Sequence, residues 1–156
     1  MPDTPAVHDK FVIERRLPHP PARVFAAFST EEGKSRWFSG PNDQWDMIDR
    51  YFDFSVGGTE HLEGRWKNGT VSRFDCSYHD IVEDSRIVYA YRMKIDGKPI
   101  SVNLTSIELF ADGAGTRLVH TEHGIYLDGY EDKGSRLHGT GALYDKLEEA
   151  LQKVIA

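Results

Sequence analysis

The sequence predicts an α+β fold, in which a curved antiparallel β-sheet is wrapped around one long C-terminal helix. Two observations support this class. From about Met47 to Tyr126, segments of alternating apolar and polar residues are separated by short turns, which is typical of an antiparallel meander. After residue 134, apolar residues recur at helical spacing. This last segment is the only one long enough to cover the packed face of such a sheet.

The N-terminal region predicts a tail, one strand and two short helices. Residues 1 to about 9 are polar and include two prolines, so we expect a flexible tail. Phe11 to Leu17 alternates as a strand does, and the prolines of residues 18–21 end it and allow the first turn of a helix. Ser29 and Glu32 have the spacing of a capping box, which predicts the start of a second short helix.

Six further strands are predicted after these helices. Their expected bounds are Tyr51 to Val56, Thr59 to Trp66, Thr70 to Val82, Arg86 to Ile95, Ile100 to Phe110 and Thr116 to His123. Turn residues separate them, and Lys67-Asn68-Gly69 is the strongest hairpin signal. The strands follow each other closely enough to pair in sequence order.

The C-terminal segment predicts a polar loop and the closing helix. The loop covers residues 124 to 135, which are rich in Gly, Asp and Lys, and the helix is expected from about Ser135. Residues at helical spacing form the predicted inner face of this helix. They are Leu137, Gly141, Tyr144, Leu147 and Leu151.

Composition limits the classes of partner. The 156 residues carry a net charge of −6, and the 19 basic residues are dispersed, so we expect no nucleic acid partner. No apolar run approaches the roughly 18–20 residues that cross a bilayer, so we expect no membrane insertion. Cys76 is the single cysteine, and no secretory signal is evident. We therefore expect one cytoplasmic domain over residues 1–156.

The most chemically suggestive residues are His120 and Glu122 on the last strand. They alternate with Leu118, so all three share a face that points toward the helix. A carboxylate beside an imidazole is the usual material of acid–base catalysis. The alternative is a buried hydrogen-bonded pair with a structural role. His120 and Glu122 are thus the candidate catalytic residues, and whether the protein is an enzyme stays open.

A metal site is an alternative interpretation of the same place. His120, Glu122 and His138 together would supply three ligands of the kind that zinc prefers. Their spacing matches no metal-binding motif. We therefore expect no metal and no cofactor.

Aromatic residues are abundant on the predicted inner face, where they either pack the core or line a ligand cavity. The small residues Gly139-Thr140-Gly141 near the start of the closing helix favour a cavity. The expected partner is a small apolar or amphipathic molecule. The predicted pocket residues are Trp37, Phe54, Trp66, Tyr78, Tyr89, Tyr91, His120, Glu122, Tyr126, His138, Gly141 and Tyr144.

Several short motifs, taken together and in order, resemble one superfamily. They are the segment Leu-Pro-x-Pro-Pro-x-x-Val-Phe that ends at Phe25, the helix end at Trp37, Gly57-Gly58 after an aromatic-rich strand, and Gly115-Thr-Arg-Leu before the last strand. The chain is similar to the START-like (SRPBCC, polyketide cyclase or Bet v-type) superfamily, which has the helix-grip fold. Within it, the motifs resemble the branch named for homology to the activator of the heat-shock-protein-ninety ATPase.

The resemblance implies a fold more than an activity, because this superfamily includes lipid carriers, hormone receptors, cyclases and proteins of unknown role. It implies first the binding of a small, largely apolar ligand between the sheet and the C-terminal helix. One alternative is a cyclase or dehydratase that uses His120 and Glu122. Another is a co-chaperone-like protein-interaction module with a chaperone contact, and a homodimer is also left open. The family's aromatic residue near the start of the terminal helix is replaced here by Gly139-Thr140-Gly141, which widens the predicted pocket.

Overall fold

The computed structural model describes residues 5–130 and 134–155, except for the side chains of residues 154 and 155. The elements confirm the predicted α+β class and its order. They are β1 (Val7–Leu17), α1 (Pro21–Ser29), α2 (Glu31–Ser35), β2 (Trp45–Phe52), β3 (Thr59–Trp66), β4 (Val71–Val82), β5 (Arg86–Ile95), β6 (Lys98–Asp112), β7 (Gly115–Tyr126) and α3 (Ser135–Ile155).

The seven strands form one curved antiparallel sheet in the order β1-β7-β6-β5-β4-β3-β2. Neighbours in sequence pair throughout, except that β1 pairs with β7. Irregularities in the register at Met47/Asp49, Tyr78/Asp80 and Met93/Lys94 interrupt the ladders, and such bulges bend a sheet. The bend makes one face concave, and the helices lie against it.

The core lies between this concave face and the helices. Val24 and Phe28 of α1, Leu118 of β7 and Leu147 of α3 are almost fully buried there. On the outside of α3, Arg15 of β1 donates to Asp145 at 2.8 Å and to Glu148 at 3.0 Å. Strand β1 therefore holds the middle of α3 in a fixed position over the sheet. Within the described residues, no helix is both long and apolar enough to span a bilayer.

The expected N-terminal tail is wrong for residues 7–9. Strand β1 begins at Val7, and Val7 to Asp9 pair with residues 124–126 of β7. The reason is that β7 continues to Tyr126 and offers backbone partners to these polar residues. Residues 1–4 of the expected tail lie outside the described residues, as do Glu131 and Asp132 of the predicted loop.

Two local predictions near the short helices are also wrong. The cap of α2 is Thr30, whose hydroxyl accepts from the Gly33 amide at 3.0 Å, because Ser29 is still the last residue of α1. The strand expected at Tyr51 to Val56 is instead Trp45–Phe52. The alternation of apolar and polar residues fits a strand at either position. The amide of Asp53 donates to the carbonyl of Thr59 and starts a turn, which ends the strand at Phe52.

The predicted inner face of α3 holds for its second half. Tyr144, Leu147 and Leu151 are buried, whereas Leu137 is 40% exposed. The hydrophobic cluster reaches α3 only from Leu143 onward. The first two turns of the helix therefore lie outside this hydrophobic cluster.

Candidate functional site

A cavity of about 410 Å³ lies between the first half of α3 and the concave face of the sheet, and it is partly open to solvent. Its walls are mostly apolar and aromatic. The larger side chains that line it are Phe38, Trp45, Leu62, Trp66, Phe74, Tyr89, Tyr91, Met93 and Leu143. The strands that supply them are β2 to β5, which alternate inward and outward side chains.

The helix leaves the space open because its residues there are small. Gly139, Thr140 and Ala142 face the cavity, and a Cβ atom at Gly139 would meet no atom within 4 Å. Glycine inside a helix costs about 1 kcal/mol relative to alanine. The sequence therefore gives up some helix stability at the residue that borders the cavity.

One wall is the segment 38–41 that follows α2, and two cations hold it. Lys146 of α3 donates to the Ser39 carbonyl at 3.0 Å, to the Ser39 hydroxyl at 2.8 Å and to the Gly40 carbonyl at 3.3 Å. Arg50 of β2 donates to the Phe38 carbonyl at 2.5 Å. Burial lowers the pKa of Lys146, and the charge of Arg50 lowers it further. The wall is thus tied to both the helix and the sheet.

Trp45 completes this wall at the edge of the sheet. Its indole lies against the backbones of Gly40 and Gly64, and a Cβ atom at Gly64 would fall 1.9 Å from the indole ring. A side chain at residue 64 would therefore displace Trp45 from the cavity.

The floor of the cavity is polar and centres on Glu122, whose side chain is almost fully buried. Four groups donate hydrogen bonds to its carboxylate. They are the Tyr91 hydroxyl at 2.5 Å, the Asn103 amide at 2.8 Å, His120 Nε2 at 2.9 Å and the Thr105 hydroxyl at 3.3 Å. A carboxylate has about four acceptor positions, so those of Glu122 are all occupied.

His120 connects this carboxylate to α3. Its Nδ1 lies 2.6 Å from the Tyr144 hydroxyl, and Phe11 of β1 stacks on its ring at a centroid distance of 5.8 Å. Because an ionised Glu122 can only accept, Nε2 carries a proton, and in the neutral imidazole Nδ1 accepts from Tyr144. The ring is therefore fixed by one hydrogen bond on each nitrogen and by a stacked aromatic.

Arg136, in the first turn of α3, closes the network from the other side. It donates to the Tyr91 hydroxyl at 3.0 Å, to Asn103 Oδ1 at 3.2 Å and to the Ser101 hydroxyl at 3.1 Å. Its guanidinium also lies 5.3 Å from the centre of the Tyr126 ring. The hydrogen bonds join the start of α3 to β5 and β6.

The electrostatics of the floor favour an ionised carboxylate beside neutral phenols. Burial alone would raise the pKa of Glu122, but the hydrogen bond and charge of His120, the hydrogen bond of Tyr91 and the charge of Arg136 outweigh it, so the pKa is lowered. Burial and the neighbouring Glu122 raise the pKa of Tyr91 well above its usual value. The Glu122 carboxylate is thus ionised beside the neutral phenol of Tyr91, with the guanidinium of Arg136 nearby.

The structure brings together five of the predicted pocket residues: Trp66, Tyr89, Tyr91, His120 and Glu122 line the cavity. Of six others, five pack in the core and Gly141 faces Arg15. Trp37, Phe54, Tyr78, Tyr126, Gly141 and Tyr144 do not line the cavity. Two contacts show why: Trp37 donates from Nε1 to the Ala27 carbonyl at 2.8 Å, and the Gly141 carbonyl accepts from Arg15 at 3.1 Å.

His138 is the one predicted pocket residue that lies outside, and that placement corrects the prediction. It is exposed. Two helical residues correspond to about 200° of rotation, so His138 points away when Arg136 points inward. His138 therefore does not converge with His120 and Glu122. In residues 5–130 and 134–155, no group of three or more His, Cys, Asp and Glu side chains could hold a metal.

Sequence reasoning missed Arg136, Lys146 and a second buried cluster beside the cavity. In this cluster, Lys34 of α2 donates to Glu60 of β3 at 3.0 Å, and the Tyr78 hydroxyl donates to the same oxygen. For Arg136 a signal existed: a cation in the first helical turn opposes the helix dipole and needs another partner.

Cys76 lies near the second cluster, where the charges of Lys34 and Glu60 act on its thiol. Burial raises the pKa of this thiol to about 12, so it stays protonated.

Comparisons with known proteins give the family. The family model of activator of Hsp90 ATPase homolog 1-like proteins matches residues 18–152. A solved structure from Rhizobium leguminosarum is 42% identical, with coverage of 96% of this chain and 97% of its own and a TM-score of 0.91. One from Rhizobium loti is 38% identical, with coverage of 94% and 99% and a TM-score of 0.87.

A more distant structure shows the same fold. The AHSA1-like protein from Aeromonas hydrophila is 16% identical, with coverage of 94% of both chains and a TM-score of 0.70. No curated protein matches the sequence. The family model covers most of the chain, and the resemblance in the motifs is confirmed. The chain belongs to the family of activator of Hsp90 ATPase homolog 1-like proteins.

Proposed function

We propose that this protein binds a small, largely apolar molecule in the cavity between the sheet and α3. The observation that carries the proposal is the cavity itself, with a volume of about 410 Å³ and mostly aromatic and aliphatic walls. Ligand pockets typically measure about 300–1,000 Å³ and combine apolar walls with a few polar groups. A partly open space of this size with mostly apolar walls is of the kind that small ligands occupy.

Binding is favoured over catalysis because the polar floor is already saturated. Both nitrogens of His120 and the acceptor positions of Glu122 have partners inside the protein. A general acid or base needs to reach the reacting group by a hydrogen bond. Catalysis by His120 and Glu122 stays an alternative, and it requires one of these bonds to open on substrate binding.

A protein-interaction role, to which the family's name points, is the second alternative and requires no cavity. A chaperone contact and a homodimer stay predictions, as do a single domain and a cytoplasmic location. Ligand binding can be separated from these by changing the cavity without changing the surface.

The test uses the glycine that borders the cavity. N-phenyl-1-naphthylamine, a neutral dye that fluoresces in apolar sites, would be titrated into the wild type and the Gly139→Leu and Gly139→Ala variants. Leucine extends into the open space beside Gly139, so we expect at least about tenfold weaker binding, whereas alanine leaves most of the volume. Both variants should unfold at equal or higher temperature, because either residue favours the helix over glycine by up to about 1 kcal/mol.

The matched stability of the two variants makes the result interpretable. Native mass spectrometry of the freshly purified protein should in addition show a retained small molecule in the wild type and a reduced fraction in Gly139→Leu. Equal dye affinity in all three proteins, or no binding by the wild type, contradicts the proposal and favours the interaction role. Substrate turnover that is lost in His120→Gln would instead support the enzyme.

A further inference from the structure

Tyr89 differs from the other hydroxyl-bearing residues on the sheet side of the cavity. It lies near the middle of β5 and lines the cavity, with its ring 6.0 Å from that of Tyr78 and 6.1 Å from that of Tyr91. In the part of the chain that the structure describes, its hydroxyl makes no hydrogen bond and is in that respect unlike the hydroxyls of these two neighbours.

The other hydroxyl, imidazole and carboxylate groups on this side are paired, whereas the Trp45 indole N–H at the edge of the sheet has no partner among the described residues. Ser72 accepts from the Trp66 indole at 3.0 Å, and Tyr91, His120 and Glu122 belong to the network of the floor. Tyr89 is half-buried, and its hydroxyl is not among the fully buried unpaired atoms of the described residues, so it is accessible from the partly open cavity. Among the described residues, Tyr89 therefore carries the hydroxyl on the sheet side whose hydrogen-bonding capacity is left for a molecule in the cavity.

The hydroxyl acts as a donor. Burial raises the pKa of Tyr89 well above its usual value, and the neighbouring Tyr144 and Glu122 add to the shift. The phenol is therefore protonated at neutral pH. A protonated phenol offers one O–H donor, which suits a ligand that carries an acceptor.

We propose that the Tyr89 hydroxyl donates a hydrogen bond to a neutral oxygen acceptor, such as a ketone or ester carbonyl, on an otherwise apolar ligand. This inference rests on the proposed ligand binding and specifies the ligand class. A neutral acceptor fits better than a carboxylate, because the cations that line the cavity, Arg136 and Lys146, are already held by hydrogen bonds to protein groups, and a buried carboxylate without its own cation is costly.

The test compares two ligands that differ only in the acceptor, 2-acetylnaphthalene and 2-ethylnaphthalene. Their affinities for the wild type and for Tyr89→Phe would be measured by isothermal titration calorimetry or by displacement of the dye. We expect the wild type to bind the ketone about 2- to 10-fold more tightly than the hydrocarbon, as one hydrogen bond allows. In Tyr89→Phe this preference should disappear, while affinity for 2-ethylnaphthalene is kept.

Tyr78→Phe is the matched control, since Tyr78 is directly opposite Tyr89 in the β4–β5 ladder and does not line the cavity. The same loss of a hydroxyl should leave the preference for the ketone intact. It should lower the urea midpoint of unfolding, because the hydroxyl of Tyr78 is bonded to Glu60. Tyr89→Phe should leave the midpoint unchanged or raise it, because no protein hydrogen bond is lost.

The outcomes separate this inference from the proposal beneath it. If both ligands bind but the preference is absent, or survives Tyr89→Phe, the role of Tyr89 is overturned and ligand binding stands. If 2-naphthoate binds more tightly than 2-acetylnaphthalene, the neutral class is wrong. If none of the three binds, both the cavity function and the inference fail.

Discussion

Two buried carboxylates lie on the concave side of the sheet, and the protein neutralises them in opposite ways. Glu60 on β3 pairs directly with the Lys34 ammonium at 3.0 Å and accepts from Tyr78 at the same oxygen. Glu122 on β7 receives four hydrogen bonds, and among the described residues no lysine or arginine lies within salt-bridge distance of it. Its balancing cation, Arg136, acts through Tyr91 and Asn103.

The difference follows from what each carboxylate supports. The Lys34–Glu60 pair joins α2 to β3, and neither residue lines the cavity. Its ammonium also lies 4.5 Å from the centre of the Phe38 ring, which is part of the cavity wall. The Glu122 network instead connects β5, β6, β7 and α3 and forms the cavity floor. The ion pair therefore holds α2 against β3, whereas the hydrogen-bond network holds the side chains of the cavity floor in place.

The largest effect is expected from breaking the concentrated pair. Lys34→Met removes the ammonium but keeps much of its volume, so Glu60 is left as a buried carboxylate with only Tyr78 as partner. Breaking a buried ion pair in this way typically costs about 3–5 kcal/mol. Urea unfolding followed by circular dichroism would measure the loss in the free energy of unfolding.

The double variant Lys34→Met/Glu60→Leu is the control for this prediction. Replacing both charges by apolar residues of similar size is often neutral or stabilising, so most of the lost stability should return. If the single variant is as stable as the wild type, the pair is not the anchor of α2 that the geometry indicates.

The second prediction concerns the distributed network. Glu122→Gln keeps the shape but turns one acceptor oxygen into an amide donor that faces two donors. Hydrogen bonds to a charged group contribute about 1.5–3 kcal/mol, so we expect a loss of about 2–3 kcal/mol, smaller than for Lys34→Met because the other oxygen keeps its partners. The same urea titration at neutral pH measures it.

The pH dependence of the same variant has a definite sign. The pKa of Glu122 is held below its ordinary value of 4.5, so its contribution to stability is fully present above that pH and is lost as the pH falls through the lower folded pKa. The wild type should therefore lose more of its unfolding free energy than Glu122→Gln between about pH 5 and pH 3. Glu149→Gln, at an exposed residue of α3, should behave like the wild type.

The third prediction asks how far the network extends into the helix. Tyr144→Phe leaves His120 Nδ1 without its partner at 2.6 Å, and the cost of such an unsatisfied buried acceptor is about 1–2 kcal/mol. The measurement is the same unfolding free energy. In the double variant Tyr144→Phe/Glu122→Gln the losses should not add, because both residues act on the His120 ring. Strict additivity would show that the two hydrogen bonds are independent.

The two carboxylates also show what sequence patterns reveal. The strands from β3 to β7 and the closing helix were predictable because alternation, turn residues and helical spacing all agreed for them. His120 and Glu122 were found by the same alternation. Glu60 has an equivalent signal, since it shares a strand face with Leu62 and Trp66, but a charged residue suggests exposure unless its partner is known.

That partner could not be found from the sequence. Lys34 lies in a helix of five residues, which is too short for a periodic pattern to show a buried face. The contact also joins residues 26 apart in the chain. The cavity is subject to the same limit: Gly139 predicted room beside α3, but which aromatic residues surround that room depends on the bend of the sheet and on the register of β2, which the alternation left ambiguous.

The smallest effect is expected at the start of α3, at His138, and it should differ from that of its neighbour Arg136. Arg136→Met removes three hydrogen bonds to buried groups and should cost about 1–2 kcal/mol. His138→Ala, on the exposed side of the same turn, should change the unfolding free energy by less than about 0.5 kcal/mol. Urea unfolding of both variants and dye titration of His138→Ala, which should bind like the wild type, would decide the point. A His138→Ala variant that lost either stability or binding would return His138 to the pocket and would mean that the helix is rotated from the orientation seen here.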